Sequence, residues 1–112
     1  MPEEKDLLKE KLTKDVDVAD WKMLHHHFVR NNLFIVHTSV DFVDTCLAVA
    51  KNQQGLVDQY IKEELIKRPD GLEVEKWHKE KPIFKCLVVS PFVFIQLTDI
   101  NLKKQKTTNS QS

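Results

Sequence analysis

The residues of this chain whose types and spacing suit chemistry are a run of three histidines, a pair of aspartates three apart and two isolated cysteines. His25, His26 and His27 fall in a stretch of helical periodicity. Consecutive helical residues point about 100° apart, so the three cannot converge on one ion. His25 flanks the face that carries Trp21 and Phe28, and His26 points outward. A metal centre would need His37 or His78, or a carboxylate, brought in by the fold, which makes His25, His26, His37 and His78 the candidate ligands. Surface and boundary histidines are the plainer reading. Asp41 and Asp44 share a helix face just beyond a predicted strand, where sheet proteins often place ligands, and form the candidate carboxylate site. Asp41 also has a sufficient local role as a carboxylate near a helix N-terminus, and Asp44 as a solvated one. Cys46 and Cys86 have no closely spaced cysteine partner and lie in apolar stretches, where a thiol packs as a small hydrophobe. A disulfide between them is not expected.

Several chemistries are excluded by what is missing. There is no phosphate loop, dinucleotide fingerprint, zinc-ligand spacing or nucleophile elbow. Gly55 and Gly71 are the only glycines, too few for a glycine-rich phosphate cradle. No catalytic residue is assigned and no cofactor is expected. Lys plus Arg equals Asp plus Glu at 17 each, so no global field draws the chain to nucleic acid or an anionic membrane. One local stretch invites a nucleic-acid reading. Residues Ala48 to Pro69 pattern as helix, turn, helix and the start of a wing, with Lys62, Lys67 and Arg68 as candidate contacts. Asp58, Glu63 and Glu64 offset those charges, and a plain helical hairpin explains the same pattern.

The elements that must position these residues can be read from periodicity. At 112 residues, 41% hydrophobic and 30% charged, the chain can bury one core. The segment 3–14 carries Leu7, Leu8 and Leu12 among charges, a narrow stripe suited to a peripheral helix. Asp20 is placed to cap a helix over Trp21 to Arg30, and Asn31-Asn32 to stop it. Leu33 to Val36 reads as a strand. Thr38 and Asp41 have capping-box spacing and open a helix to about Lys51, with Phe42, Val43, Cys46, Leu47, Val49 and Ala50 inward. A further helix to about Glu64 turns Leu56, Val57, Tyr60 and Ile61 inward. Leu65 to Arg68 is a short extended piece before Pro69. A short helix around Glu73 to Lys79 buries Val74 and Trp77.

From Phe84 to Leu97 the chain is apolar on both alternating faces, as in interior strands. The Ser90-Pro91 step is a bulge, a kink or the link between two strands. A rival reading makes Ser90 the cap and Pro91 the first residue of a C-terminal helix. The expected fold class is α+β: a small central sheet from Leu33 to Val36 and Phe84 to Leu97, with helices packed on it. Residues 1–19 are expected as a peripheral helix and linker, 20–102 as one domain, and 103–112 as a disordered tail. The charged start lacks an export pattern and no apolar run approaches the ~20 residues of a membrane span, so a cytoplasmic protein is expected.

The pattern Trp21-x-x-Leu24, Arg30, Leu33 to Val36, Asp41-Phe42-Val43, Val57-x-x-Tyr60, Leu65, Trp77 and Leu87-Val88-Val89-Ser90-Pro91-Phe92-Val93-Phe94-Ile95-Gln96 resembles a small bacterial family, domain of unknown function 2288. The resemblance spans about Asp20 to Leu97, and the block around Pro91 is its most specific part. This chain departs from the family pattern in reading Arg30-Asn31-Asn32 for an Arg-Gly, and in having Tyr60 and Phe92 for tryptophans. The resemblance implies a compact bacterial cytoplasmic protein and supplies no site residues. The functional expectation is a non-enzymatic domain that binds another protein or itself. A DNA-binding accessory protein and a small enzyme using Asp41, Asp44 or a histidine are the alternatives.

Overall fold

Capping side chains set most of the element boundaries. In the computed structural model, which describes residues 6–98, the Asp6 carboxylate accepts the Lys9 N–H and opens α1 (Leu7–Asp15). β1 (Asp17–Asp20) runs directly into α2 (Trp21–Val29), where the Asp20 carboxylate accepts the Met23 N–H at 2.9 Å. Asn31, at φ 63°, ends that helix in the left-handed region. β2 (Leu33–Val36), α3 (Phe42–Ala50) and α4 (Gln54–Lys62) follow, with Asn52 at φ 57° in the turn between the two helices. After β3 (Ile66–Lys67), a full capping box starts α5 (Gly71–Glu80): Glu73 N–H donates to Asp70, and Asp70 N–H donates to the Glu73 carboxylate. β4 (Ile83–Val89) and β5 (Phe92–Leu97) close the described chain as a hairpin turning at Ser90-Pro91, whose peptide bond is cis.

The fold is α+β, a five-stranded mixed sheet in the order β1-β4-β5-β2-β3. β5 runs antiparallel to β4 and parallel to β2, so both strands of the Phe84–Leu97 segment are interior, as their two-sided apolar character requires. Alternate residues feed two cores. Phe84, Val93 and Ile95 point to one face, where they meet Trp21 and Leu24 of α2 and Trp77 of α5. Leu87 and Phe94 point to the other, under Leu12 of α1, Phe42 and Cys46 of α3, and Ile66. Gln96, buried on the second face, donates to the carbonyls of His37 and Val40 and ties the β2–α3 loop to the sheet.

The structure departs from the sequence expectations in four places. The stretch before Asp20, expected as linker, is the edge strand β1, paired with β4 from Asp17↔Cys86 to Asp20↔Ile83. The N-cap of α3 is Asp41, which accepts the Asp44 N–H at 2.8 Å, and Thr38 belongs to the preceding turn. Within α3 the buried set adds Thr45, whose hydroxyl donates to the Asp41 carbonyl at 2.7 Å, and Ala48. On α4 only Val57 and Tyr60 are half-buried, while Leu56 and Ile61 are exposed. After Pro91 the expected strand is observed, in place of the rival C-terminal helix. The expected start of α1 at residues 3–5 and the expected tail at 103–112 lie outside the described residues. Among the described residues no helix is long and apolar enough to cross a membrane.

Candidate functional site

The first residue of α2 and the last turns of α5 meet on one face of the sheet. Trp21 and Trp77, the chain's only two tryptophans, lie with ring centroids 5.2 Å apart and planes at 53°. Trp77 in turn stands edge-on over Phe84 at 5.0 Å, so the indole pair rests directly on the sheet. Above them are two imidazoles. His25, one turn along α2, meets Trp21 edge-to-face at 5.8 Å, and His78 does so from α5 at 5.9 Å. The two histidine rings are 6.0 Å apart. The Trp21 Nε1–H donates to His78 Nε2 at 3.2 Å, so in the neutral ring the His78 proton sits on Nδ1.

These rings line an open cavity of about 540 Å³, together with Asp20, Lys22 and Lys81. The size suits one ring-bearing side chain or small ligand. Lys81 is fixed at the rim because it ends α5 in the left-handed region, at φ 50°, with its N–H on the Trp77 carbonyl. Asp20, the carboxylate of the lining, is the α2 cap. The arrangement offers two imidazoles, two ammonium groups and a carboxylate.

The sequence candidates are distributed as follows. His25 and His78 come together at the cavity. His26 instead lies against its neighbour His27, ring centroids 3.9 Å apart and planes tilted by 40°. The His27 pKa is lowered by burial, then by the charges of His26 and Arg30. His37 Nδ1 accepts the Ser39 N–H at 3.0 Å, with Ser39 Oγ at 2.8 Å. Among the described residues no group of three His, Cys, Asp or Glu side chains is placed to share an ion. Asp41 caps α3, and Asp44 pairs with Lys9 of α1 at 2.8 Å, a bond that raises the lysine pKa. Each carboxylate thus has a structural partner.

Lys67 reaches Asp70 at 3.8 Å and Glu73 at 3.3 Å, and the Arg68 guanidinium lies 5.4 Å from the centre of the Phe34 ring. Lys62 stays exposed in the last turn of α4. Both cysteines are free thiols. Burial pushes Cys46 up to about 12, with Cys86 and Asp41 adding to the shift, and burial followed by Asp17 raises Cys86.

Sequence reasoning placed both tryptophans in the core, and they are 3% and 4% exposed. It missed that both line a cavity, and it did not single out Asp20, Lys22 or Lys81 as lining. The available signal was that each tryptophan has a histidine within one helical turn, Trp21 with His25 and Trp77 with His78.

Comparison with known proteins agrees with this architecture. The family described as Protein of unknown function (DUF2288) matches residues 7–97, taking in α1 and β1, which the sequence resemblance had left outside. The solution NMR structure of PA1075 from Pseudomonas aeruginosa is similar, at 25% sequence identity and a TM-score of 0.70. That match covers 87% of this chain and 90% of the other. No curated protein sequence matches the chain.

Proposed function

Starting from a chain that belongs to the DUF2288 family of proteins of unknown function, we propose a non-enzymatic domain that binds a protein partner at the cavity between α2 and α5. The observation that carries this reading is an open cavity of about 540 Å³ lined by exposed imidazoles and lysines beside the buried indole pair. The indoles are themselves buried, so a partner would meet the exposed imidazoles and lysines that stand over them. Two polar groups of the lining are already engaged: the Asp20 carboxylate caps α2, and His78 Nε2 holds an indole N–H.

The test is co-purification from the native host with the tagged full chain, compared with His25→Ala and Lys22→Ala. Both substitutions fall on exposed residues and should leave the fold intact. A partner recovered with the parent chain should be depleted several-fold with each variant. Recovery of the same partner in the same amount by both variants would remove the cavity from the reading.

A second reading is self-association, favoured by α4, which has no fully buried residue and leaves Leu56 and Ile61 exposed on either flank of its packed stripe. Zero net charge weakens repulsion between copies. Light scattering that returns a strict monomer at high concentration would eliminate it.

A further inference from the structure

We propose that the hydrogen bond from Trp21 to His78 is a pH-sensitive latch between α2 and α5, closed while His78 is neutral and released when it takes up a proton. The latch lies in the walls of the cavity and is independent of whether a partner binds there. The first argument is hydrogen-bond chemistry. An indole N–H can only donate, so the bond from Trp21 Nε1–H at 3.2 Å requires a lone pair on His78 Nε2. In the imidazolium both ring nitrogens donate, and no tautomer or ring flip restores an acceptor. The bond joins the first residue of α2 to the last turn of α5. Among the described residues no other side-chain hydrogen bond or ion pair links these two helices.

The second argument is access. His78 is exposed, so solvent protons reach its ring, whereas Trp21 is 3% exposed. A buried N–H that loses its acceptor carries a desolvation cost until it meets water. Movement of the Trp21 or His78 ring brings it there, and the open cavity beside them has the room. Histidine ordinarily changes charge between about pH 5 and 8, the range in which such a latch works.

The third argument is the charge around the ring. Asp20, Lys22 and His25 line the cavity from the α2 side and Lys81 from the end of α5, where Glu75 stands one turn before His78. The sheet side of this core is apolar apart from the Cys86 thiol, which burial keeps protonated. With both imidazoles neutral, two ammonium groups stand against two carboxylates. Protonating His25 and His78, whose rings are 6.0 Å apart on different helices, adds two like charges across the contact. Loss of the bond and mutual repulsion therefore act in the same direction as pH falls, and both recede as it rises.

The experiment follows the full chain by ¹H–¹⁵N spectroscopy from about pH 8 to about pH 5, reading the His78 ring nitrogens and the Trp21 Nε1–H with its exchange against water. At the upper end His78 should be the Nδ1–H tautomer. As pH falls, the Trp21 resonance should move with the His78 titration, and its protection, corrected for the intrinsic pH dependence of exchange, should fall several-fold. His78→Gln offers an oxygen that takes up no proton in this range, so its Trp21 profile should be flat. His25→Gln removes the neighbouring charge alone, and there the Trp21 transition should persist. Amide resonances of α3, on the far face of the sheet, should stay in place. An Nε2–H tautomer at the upper end, or undiminished Trp21 protection across the titration, would overturn the latch. So would a transition that survives in His78→Gln or vanishes in His25→Gln, and so would α3 resonances that move in step, because the change would then be global. None of these results bears on partner capture, which His25→Ala and Lys22→Ala decide.

Discussion

Replacing Asp70 tests whether α5, which carries Trp77 and His78 to the cavity, depends on its capping box. Two interactions share the Asp70 side chain: the cap bond from Glu73 N–H at 2.8 Å and a contact to Lys67 at 3.8 Å. They separate by substitution. Asp70→Ala removes both, and losing an N-cap of this kind costs about 1 kcal/mol. Asp70→Asn keeps an oxygen that can accept from Glu73 N–H and loses only the charge. The ion pair is more than half exposed on the aspartate side, and Lys67 keeps Glu73 at 3.3 Å, so the Asn variant should lose well under about 0.5 kcal/mol. For a domain of this size, 1 kcal/mol corresponds to about 4–8 °C in midpoint temperature. Thermal unfolding followed by circular dichroism should place Asp70→Ala lower by about that amount, with Asp70→Asn close to the parent. Tryptophan fluorescence should follow the same transition, because Trp77 lies on the capped helix. Equal destabilisation by Asn and Ala would refute the capping argument and assign the effect to charge. No change in either would show that packing of Val74 and Trp77 alone holds the helix.

Further expectations concern the core, the thiols and the N-terminal helix. Phe84→Ala, at a fully buried site against Trp77, should cost about 3–5 kcal/mol by urea unfolding, whereas Ile95→Val should cost about 0.5–1.5. Ellman's reagent at pH 8 should label Cys86 slowly and Cys46 hardly at all in the native protein, since burial holds both thiols protonated. Both should react rapidly in denaturant, and fast native labelling of Cys46 would contradict its burial between α3 and the sheet. The Asp6 pKa is lowered below its ordinary value of 3.8 by the Lys51 ammonium, then by the Lys9 N–H. A depressed folded-state value means that the contribution is complete above the unfolded pKa and disappears as pH falls through the folded one. Hydrogen-exchange protection in α1 should therefore drop on acidification below about pH 4. Lys51→Met should flatten that dependence, and an unchanged profile would dismiss the Asp6–Lys51 contact as its cause.

What was legible in the sequence is what local chemistry decides. Asp20 as a cap, Asn31 as a stop and the two-sided apolar strands at Phe84–Leu97 each depend on neighbours a few residues away. β1 was missed because an edge strand bearing Asp17 and Asp20 lacks an apolar run; charge of this kind is how sheet edges resist pairing with other chains. Thr38, Ser39 and Asp41 are all plausible caps, and only the fold selects Asp41. Leu56 and Ile61 fit a buried stripe in the sequence, but each lies to one side of the Val57–Tyr60 contact line and stays exposed. The cavity was hidden for a different reason. It joins Trp21 and His25 to Trp77 and His78 across 57 positions, a distance over which periodicity carries no information.

The place of β5 in the sheet order has a consequence for how the protein is made. Among the described residues it is the last strand in sequence, yet it lies between β4 and β2 and supplies side chains to both cores. Until it leaves the ribosome, β2 and β3 cannot be joined to β1 and β4, and each helical layer faces half a sheet. Synthesis runs at about 5–20 residues per second, so the earlier elements wait several seconds with Leu24, Leu33 and Phe42 unsheltered. The nascent chain should thus resist protease only once residues to about Leu97 have cleared the exit tunnel, and acquire that resistance in one step.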